Sequence, residues 1–457
     1  MKNLITPLLL CIGLSVNAQM TSVTEGGNTG QRLSVSNAAN HGDIGSKAVD
    51  LSYSSYESTT QGATGIYSVA MGVNTTASKN SSTAMGASTT ASGAQSTAMG
   101  DNTTASGIAS TAMGRETTAI GENSTAMGAG ATASGNRSIA MGSETTASGS
   151  ASTAMGGFTK ASGFYSTAMG LETTAIGKKS TAMGEGTTAS GNTSTAMGNG
   201  TTANGDFSTA MGRDTSASGE SSTAMGWGAT ASGNQSTAMG LNTTASGDYS
   251  TAMGYETTAS NYVSTAMGVA TTASGETSTA MGVFTKASDY ASVVIGQYNS
   301  SGSTATSANS FSTSAPAFVI GNGTDDSDLS DAFKVMFNGD ATVSNDLTVN
   351  GDVTVSSDAR LKANIVSLGA TLSKLLNIDG KTYTVKKNGA QKIGVLAQDI
   401  KEVFPELVSE DKEGMLSVNY QGLIPVLINA LKEQQKEIEY LRAQEKRIER
   451  LEQLIQN

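Results

Sequence analysis

Two residue types that carry much of nucleophilic and metal chemistry occur once each in these 457 residues, as Cys11 and His41. A disulfide framework and a Cys/His zinc site are therefore excluded, and a Ser-His-Asp triad nearly so. Clustered carboxylates are found at Asp325, Asp326, Asp328 and Asp331. They are oxygen ligands of the kind calcium takes, but the spacing lacks the EF-hand pattern and its closing Glu, so a solvated loop is expected. Methionine recurs every fourteen residues from Met71 to Met281, sixteen times in all. Such a file of thioethers is formally a soft-metal site, as for copper(I), but packing is the expected role. No metal and no cofactor is expected.

The elements that hold the methionines follow from the same period. Each unit reads Ser-Thr-Ala-Met-Gly, two variable residues, Thr-Thr-Ala-Ser-Gly and two more, as in Ser82 to Gln95, and Ile295 takes the slot after Met281. Two five-residue runs with alternating side-chain direction, each closed by a short turn, make one coil of a narrow β-solenoid. Gly is expected to supply the positive φ of those turns. A coil this short encloses only small side chains such as Ser82, Ala84 and Ala91. The Met ladder is expected to pack either within the coil or, as the more economical place, on an axis shared by three parallel chains. Sixteen intervals of one strand spacing predict a rod of roughly 75 to 80 Å. Variable pairs such as Ala94-Gln95, Phe164-Tyr165 and Lys178-Lys179 are expected at turns facing water. The turn aromatics Phe158, Phe164, Tyr165, Phe207, Trp227, Tyr249, Tyr255 and Tyr290 are available to a partner, although scattered surface aromatics are common.

Composition argues against a conventional enzyme over most of the length. Aromatic residues make 5% and charged residues 14% of the chain, where globular domains run to about a quarter charged. Residues 19–356 hold 11 basic and 24 acidic side chains, and residues 357–457 hold 15 and 14. An acidic, aromatic-poor passenger has neither the basic footprint nor the stacking platform of a nucleic-acid binder. No proline falls between Gln19 and Ala315, which suits uninterrupted backbone ladders. Residues 1–18 read as a signal peptide, with Lys2, an apolar Leu4 to Val16 and a Val16-Asn17-Ala18 cleavage site. No later stretch has the length of a membrane span. The product is expected to be exported, at the cell surface or extracellular.

The fourteen-residue unit resembles the head repeats of YadA-like trimeric adhesins, whose pattern is a serine, a small residue, Ala-hydrophobic-Gly, then Ala-x-Gly before the next serine. The match runs from about Ser68 to Gly296 in unbroken register. The resemblance implies a left-handed parallel β-roll in a homotrimer. It also implies an adhesive head whose ligand the sequence does not name, a glycan or matrix protein being the classes to screen.

Beyond Gln297 a Ser/Thr/Asn-rich linker is expected over 297–316. A β-stalk is expected over 317–356, with strand candidates Ala317 to Ile320, Ala332 to Phe337, Ala341 to Val343, Leu347 to Val349 and Val353 to Val355. From Ser357 the pattern changes to a helix ending near Asn377, strands around Lys381 to Lys387 and Gln391 to Leu396, the segment Ala397 to Val408, and a terminal helix over 420–457. The Ser357-Asp358-Ala359-Arg360-Leu361-Lys362-Ala363-Asn364-Ile365 opening, the block from Gly394 to Val408 and the run from Tyr420 to Gln434 resemble the C-terminal intramolecular chaperone of endosialidases and other phage tail proteins. That family trimerises, assists folding of the β-fibre before it, and cuts itself off with a serine/lysine dyad. The resemblance implies Ser357 as nucleophile, Lys362 as general base and a cut between Ser356 and Ser357, with Asp358 and Arg360 orienting or structural. The chemistry agrees, because a serine hydroxyl needs a base and this region has no His; a desolvated Lys is the remaining candidate. In the terminal helix Leu427, Leu431, Ile438, Leu441, Ile448 and Ile455 form a seam interrupted by Gln434, Glu445 and Glu452, the mark of a short, imperfect coiled coil.

The expected protein is mainly β: a trimeric β-roll solenoid (68–296) behind an N-terminal head segment (19–67), a β-stalk, and a C-terminal α+β chaperone domain (357–457). Its enzymatic activity is confined to one intramolecular serine/lysine self-cleavage per chain. Two other readings use the same residues. Thr75-Thr76, Thr89-Thr90 and their successors form a threonine ladder of the kind that binds ice, and the stalk and chaperone suit a phage-type tail fibre, against which the signal peptide argues.

Overall fold

The computed structural model describes residues 19–386, 389–411 and 414–456. The expected signal peptide lies outside the described residues. The chain divides into two compact units, one running to Thr348 and one from Val349 to the C-terminus.

The first unit is a β-solenoid of about 19 turns. Each fourteen-residue repeat is one coil, with a five-residue strand such as Thr83–Ala87 and a two-residue strand such as Thr90–Ala91. The two expected five-residue runs are therefore unequal, because the second turns inward after Thr-Ala. Like strands stack in parallel and in register, Met85 on Met99 and Thr90 on Thr104. The register holds without slippage from Met71↔Met85 to Met281↔Ile295. Thr83 N–H donates to the Ser96 carbonyl and Thr90 N–H to the Thr103 carbonyl, both at 2.8 Å, and this pair of bonds repeats along the roll.

Inside each coil Ser82, Ala84, Thr89 and Ala91 are completely buried, as are their equivalents. Ser68, Ser82 and Ser96 close their turns by donating to the carbonyl three residues back, at 2.7 Å. The interior is filled by methyl and hydroxymethyl groups, each contributing about 1 kcal/mol of burial or less. Cohesion therefore comes from repetition between neighbouring coils rather than from any one contact. The methionines stand on the outer face of the long-strand sheet, half exposed, with Met71 reaching 41%.

Glycine's part differs from the expectation. The left-handed turn residues recur every seven residues and are mostly not Gly: Ser88 has φ 52°, Gln95 φ 61°, Tyr165 φ 57° and Val263 φ 53°. Positive φ at a β-branched residue such as Val263 is a genuine strain. The indispensable glycine is the one after Met. Gly184, with φ 119°, lies so near the next coil that a methyl group there would overlap the Gly198 carbonyl.

Both ends of the roll are closed. At the start, Met20–Glu25 and Asn28–Leu33 form a hairpin, and the latter runs parallel to Val49–Tyr53, which pairs with Val69–Val73. At the far end Pro316–Asn322 adds parallel to Val293–Gln297, followed by antiparallel Asp331–Met336 and Ala341–Val343. Three of the expected stalk strands thus extend the head sheet. Residues 344–358 form no strand in the single chain.

The N-terminal hairpin encloses a charged cluster that small coils do not otherwise contain. Arg32 donates to Asp50 at 3.2 Å, to Glu25 at 2.6 Å and to the Gly42 carbonyl at 3.0 Å, while His41 Nδ1 lies 3.3 Å from Asp50. The Ser52 hydroxyl donates to the other Asp50 oxygen at 2.6 Å. Burial pushes the Asp50 carboxyl up, but hydrogen bonds from His41 and Ser52 outweigh it and hold the group below the ordinary carboxylate range. A depressed carboxyl stabilises the fold above its unfolded value and ceases to do so as pH falls through its folded one. Asp50→Asn, which removes one of the two carboxylates paired with Arg32 and leaves it Glu25 and the Gly42 carbonyl, is expected to destabilise the cap by about 2 kcal/mol at pH 7. The difference from wild type should vanish in strong acid, as read by hydrogen exchange over residues 28–54. An equal difference at all pH values refutes the assignment.

The second unit has a small core of Ile400, Phe404 and Val426, packed by Leu375, Ile378, Val395, Leu407 and Leu423. Helix α1 is Leu372–Leu375, α2 is Ala397–Val403 and α3 is Leu423–Gln456. Two hairpins accompany them, Lys381–Thr384 with Gln391–Gly394 and Val408–Glu410 with Leu416–Val418. The Glu433 carboxylate of α3 accepts the N–H groups of Thr371 at 2.7 Å and Leu372 at 3.0 Å, satisfying the open end of α1. Those two bonds hold its carboxyl below the usual range. Among the described residues no helix is long and apolar enough to cross a membrane.

Candidate functional site

The site is built on the segment entering the second unit. Asp358 caps a short 3-10 turn, Ala359–Leu361, by accepting the Arg360 N–H at 2.8 Å. Its carboxylate also takes the Arg360 guanidinium, with Nη2 2.7 Å from Oδ2. These bonds from Arg360 hold the Asp358 carboxyl below its ordinary range, and the pairing holds Arg360 above its own. The turn reverses the chain, bringing Lys362 back to the residue five positions earlier. Lys362 Nζ donates to Ser357 Oγ at 2.6 Å. Ser356, Ser357, Asp358, Arg360 and Lys362 are all exposed in the single chain.

One wall of a cavity of about 450 Å³ is formed by Val353, Val355 and Ser357, and the opposite wall by Asn419, Gln421, Gly422, Ile424 and Pro425. Gln421 to Pro425 fall in the run already noted for its resemblance to the chaperone family, but with no place in the site, and Asn419 was not singled out. Its signal was the turn chemistry of Asn419-Tyr420-Gln421-Gly422 just before a helix.

The other candidates are placed as follows. Asp325 accepts the Ser327 and Asp328 N–H groups within its own loop, and Asp331 accepts those of Ser300 and Ser301 from the segment that follows the last coil, so both carboxylates have structural partners. Among the described residues no three acidic, His or Cys side chains are grouped to hold a metal. His41 meets Ser52 and Asp50 through one ring nitrogen, Nδ1, which is not the relay of a nucleophilic triad. Phe158, Phe164, Tyr165, Phe207, Trp227, Tyr249 and Tyr255 are exposed, and Tyr290 is half-buried. Phe164 packs edge-on to Tyr165, and Arg213 lies over the Trp227 ring at 4.9 Å. The threonine ladder is one row rather than two. Thr75 and Thr89 are buried inside the coils, leaving Thr76 and Thr90 on the outer face.

A β-roll closed at both ends, followed by a separate unit that carries a serine-lysine pair near its start, fits an adhesin or tail-fibre-like protein. Successive two-copy segments from residue 63 to residue 299 match the YadA head domain repeat, and residues 357–409 match the chaperone of endosialidase. With half its length in those repeats, the chain belongs to the YadA head repeat family. No curated protein is matched by the chain.

Proposed function

We propose that this protein is an exported homotrimeric fibre with an adhesive head, assembled by residues 357–457, which then release themselves by cutting between Ser356 and Ser357. The observation that carries the cleavage is the 2.6 Å hydrogen bond from Lys362 to Ser357, inside the segment that matches the chaperone of endosialidase. In its neutral form the lysine takes the hydroxyl proton, and Oγ attacks the Ser356 carbonyl carbon. The C–N bond to Ser357 breaks, its nitrogen takes a proton, and the chain is held as an ester. Water then hydrolyses the ester, leaving a carboxylate on Ser356 and a free amine on Ser357.

Both dyad residues are exposed in one chain, so assembly has something to supply. Covering the pair with other copies removes the lysine from water and favours its neutral, proton-accepting form. The second unit also leaves Leu361, Ile365, Val366, Ile393 and Leu431 largely exposed around its small core. Along α3 the seam Leu427, Leu431, Ile438, Leu441 and Ile448 faces solvent as well. Apolar surface on this scale is what a trimer contact covers. In the roll, the outward Met file is the matching surface.

Purified full-length protein, incubated with protease inhibitors, is expected to yield a fragment beginning at Ser357, with a solution mass three times that of the processed chain. Cleavage at another bond, or a stable monomer by light scattering, overturns the proposal.

A further inference from the structure

The cavity beside Ser357 has two walls of different chemistry, and only one has been used so far. Val353, Val355 and Ser357 line it from one side, as alternate residues of an extended segment do. Facing them, Ile424 and Pro425 supply apolar surface and Asn419 a carboxamide. Asn419 is anchored twice. Its N–H donates to the Leu407 carbonyl at 2.8 Å, and its side-chain oxygen accepts the Gly422 N–H at 3.0 Å. Because a backbone N–H only donates, the amide atom facing Gly422 is the oxygen, and the NH2 end is left as a donor. Among the described residues that NH2 has no hydrogen-bond partner.

We propose that the turn Asn419–Pro425 is the substrate wall of the self-cleavage site, with Ile424 and Pro425 seating Val353 and Val355 and the Asn419 amide donating to the Ser356 carbonyl. The proposal rests on the self-cleavage reading above. Valines two and four residues before the cut fix the extended segment in the cavity, and a fixed donor stabilises the negative charge that develops on the carbonyl oxygen when Oγ attacks. Ile424 and Pro425 are also in the first turn of α3. Whatever orders that helix therefore sets the wall, and cleavage reads the state of the helix seam.

The test uses full-length protein made in a cell-free system, with assembly followed by light scattering and cleavage by denaturing gel. Asn419→Asp keeps the oxygen that accepts from Gly422 and removes the donor. It is expected to assemble normally and to cleave about 10²–10³-fold more slowly. Asn419→Ala is expected to slow cleavage to a similar degree. Val355→Ser is expected to slow it less, about tenfold, and to be partly rescued at high protein concentration. An assembled Asn419→Asp protein that cleaves at the wild-type rate overturns the proposal, and so does an Asn419→Asp protein that fails to assemble, since the residue then serves folding. Ser357→Ala, run alongside, separates the two readings: if that variant is still cut, the dyad itself is wrong and not merely the wall.

Discussion

Ser357→Ala is expected to remain uncut at full length while assembling as the wild type does. The hydroxyl is exposed and receives a single hydrogen bond, from Lys362, so its loss removes the attacking atom and little packing. Lys362→Ala retains the nucleophile and removes the base, and general-base catalysis of this kind is worth about 10²–10⁴-fold. Cleavage of that variant should therefore be slow rather than abolished, and should quicken at alkaline pH, where solvent base substitutes for the amine. Because nucleophile and scissile bond belong to one chain, the wild-type rate should be independent of added protease. A time course with N-terminal sequencing of the products checks each point. If Ser357→Ala is cut at the same bond as fast as wild type, self-cleavage by this pair is wrong.

The largest effect on folding is expected from one methyl group. Gly184→Ala places a Cβ against the Gly198 carbonyl of the next coil, in a backbone conformation that L side chains rarely adopt. Neither backbone can move without breaking the ladder on both sides, so a destabilisation above about 5 kcal/mol is expected. The chain should divide into two partial rolls with a protease-sensitive joint near residue 184. Two residues on, Gly186→Asn is the internal control. Gly186 has φ 61°, a Cβ there would meet the Gly200 nitrogen only at an ordinary contact of 3.9 Å, and its equivalents include Glu172, Asp214 and Asn242. That variant should change stability by less than about 1 kcal/mol. Limited proteolysis and thermal melting of the two proteins side by side test the contrast; equal stability would show that coil spacing is looser than the ladder implies.

The difference between those two glycines marks what the sequence could and could not disclose. The coil length and the inward Ser and Ala were readable because period and side-chain size repeat many times, whereas the side on which the Met file stands was not, since a thioether packs equally well inside a coil or on a shared axis. The turn conformations were not, because Gln95, Tyr165 and Val263 share φ but no chemistry. Their backbone is dictated by the ladders on either side, which overrule residue preference. Thr75 and Thr76 look alike in sequence and end on opposite sides of the wall, since a pair of identical neighbours carries no direction. The Ser357–Lys362 pairing was legible only through resemblance; four intervening residues do not by themselves bring a lysine back to a serine, and the Asp358 cap that does so is an ordinary turn. Arg32 with Asp50 and Glu433 with Thr371 were invisible for another reason. Each joins segments far apart in the chain with no periodic signal, 18 and 62 residues respectively.

The unbroken register of the coils has a genetic consequence. Every coil binds only its two neighbours through the same pair of strands, so an in-frame duplication or loss of one repeat restores the same contacts above and below. Tandem identical units are also the sequences on which replication slips and homologous segments recombine. Reach is thereby adjustable in steps of about 4.8 Å, while both closing ends and everything after them stay unchanged. The head behaves as a ruler whose length selection can reset without redesigning any surface.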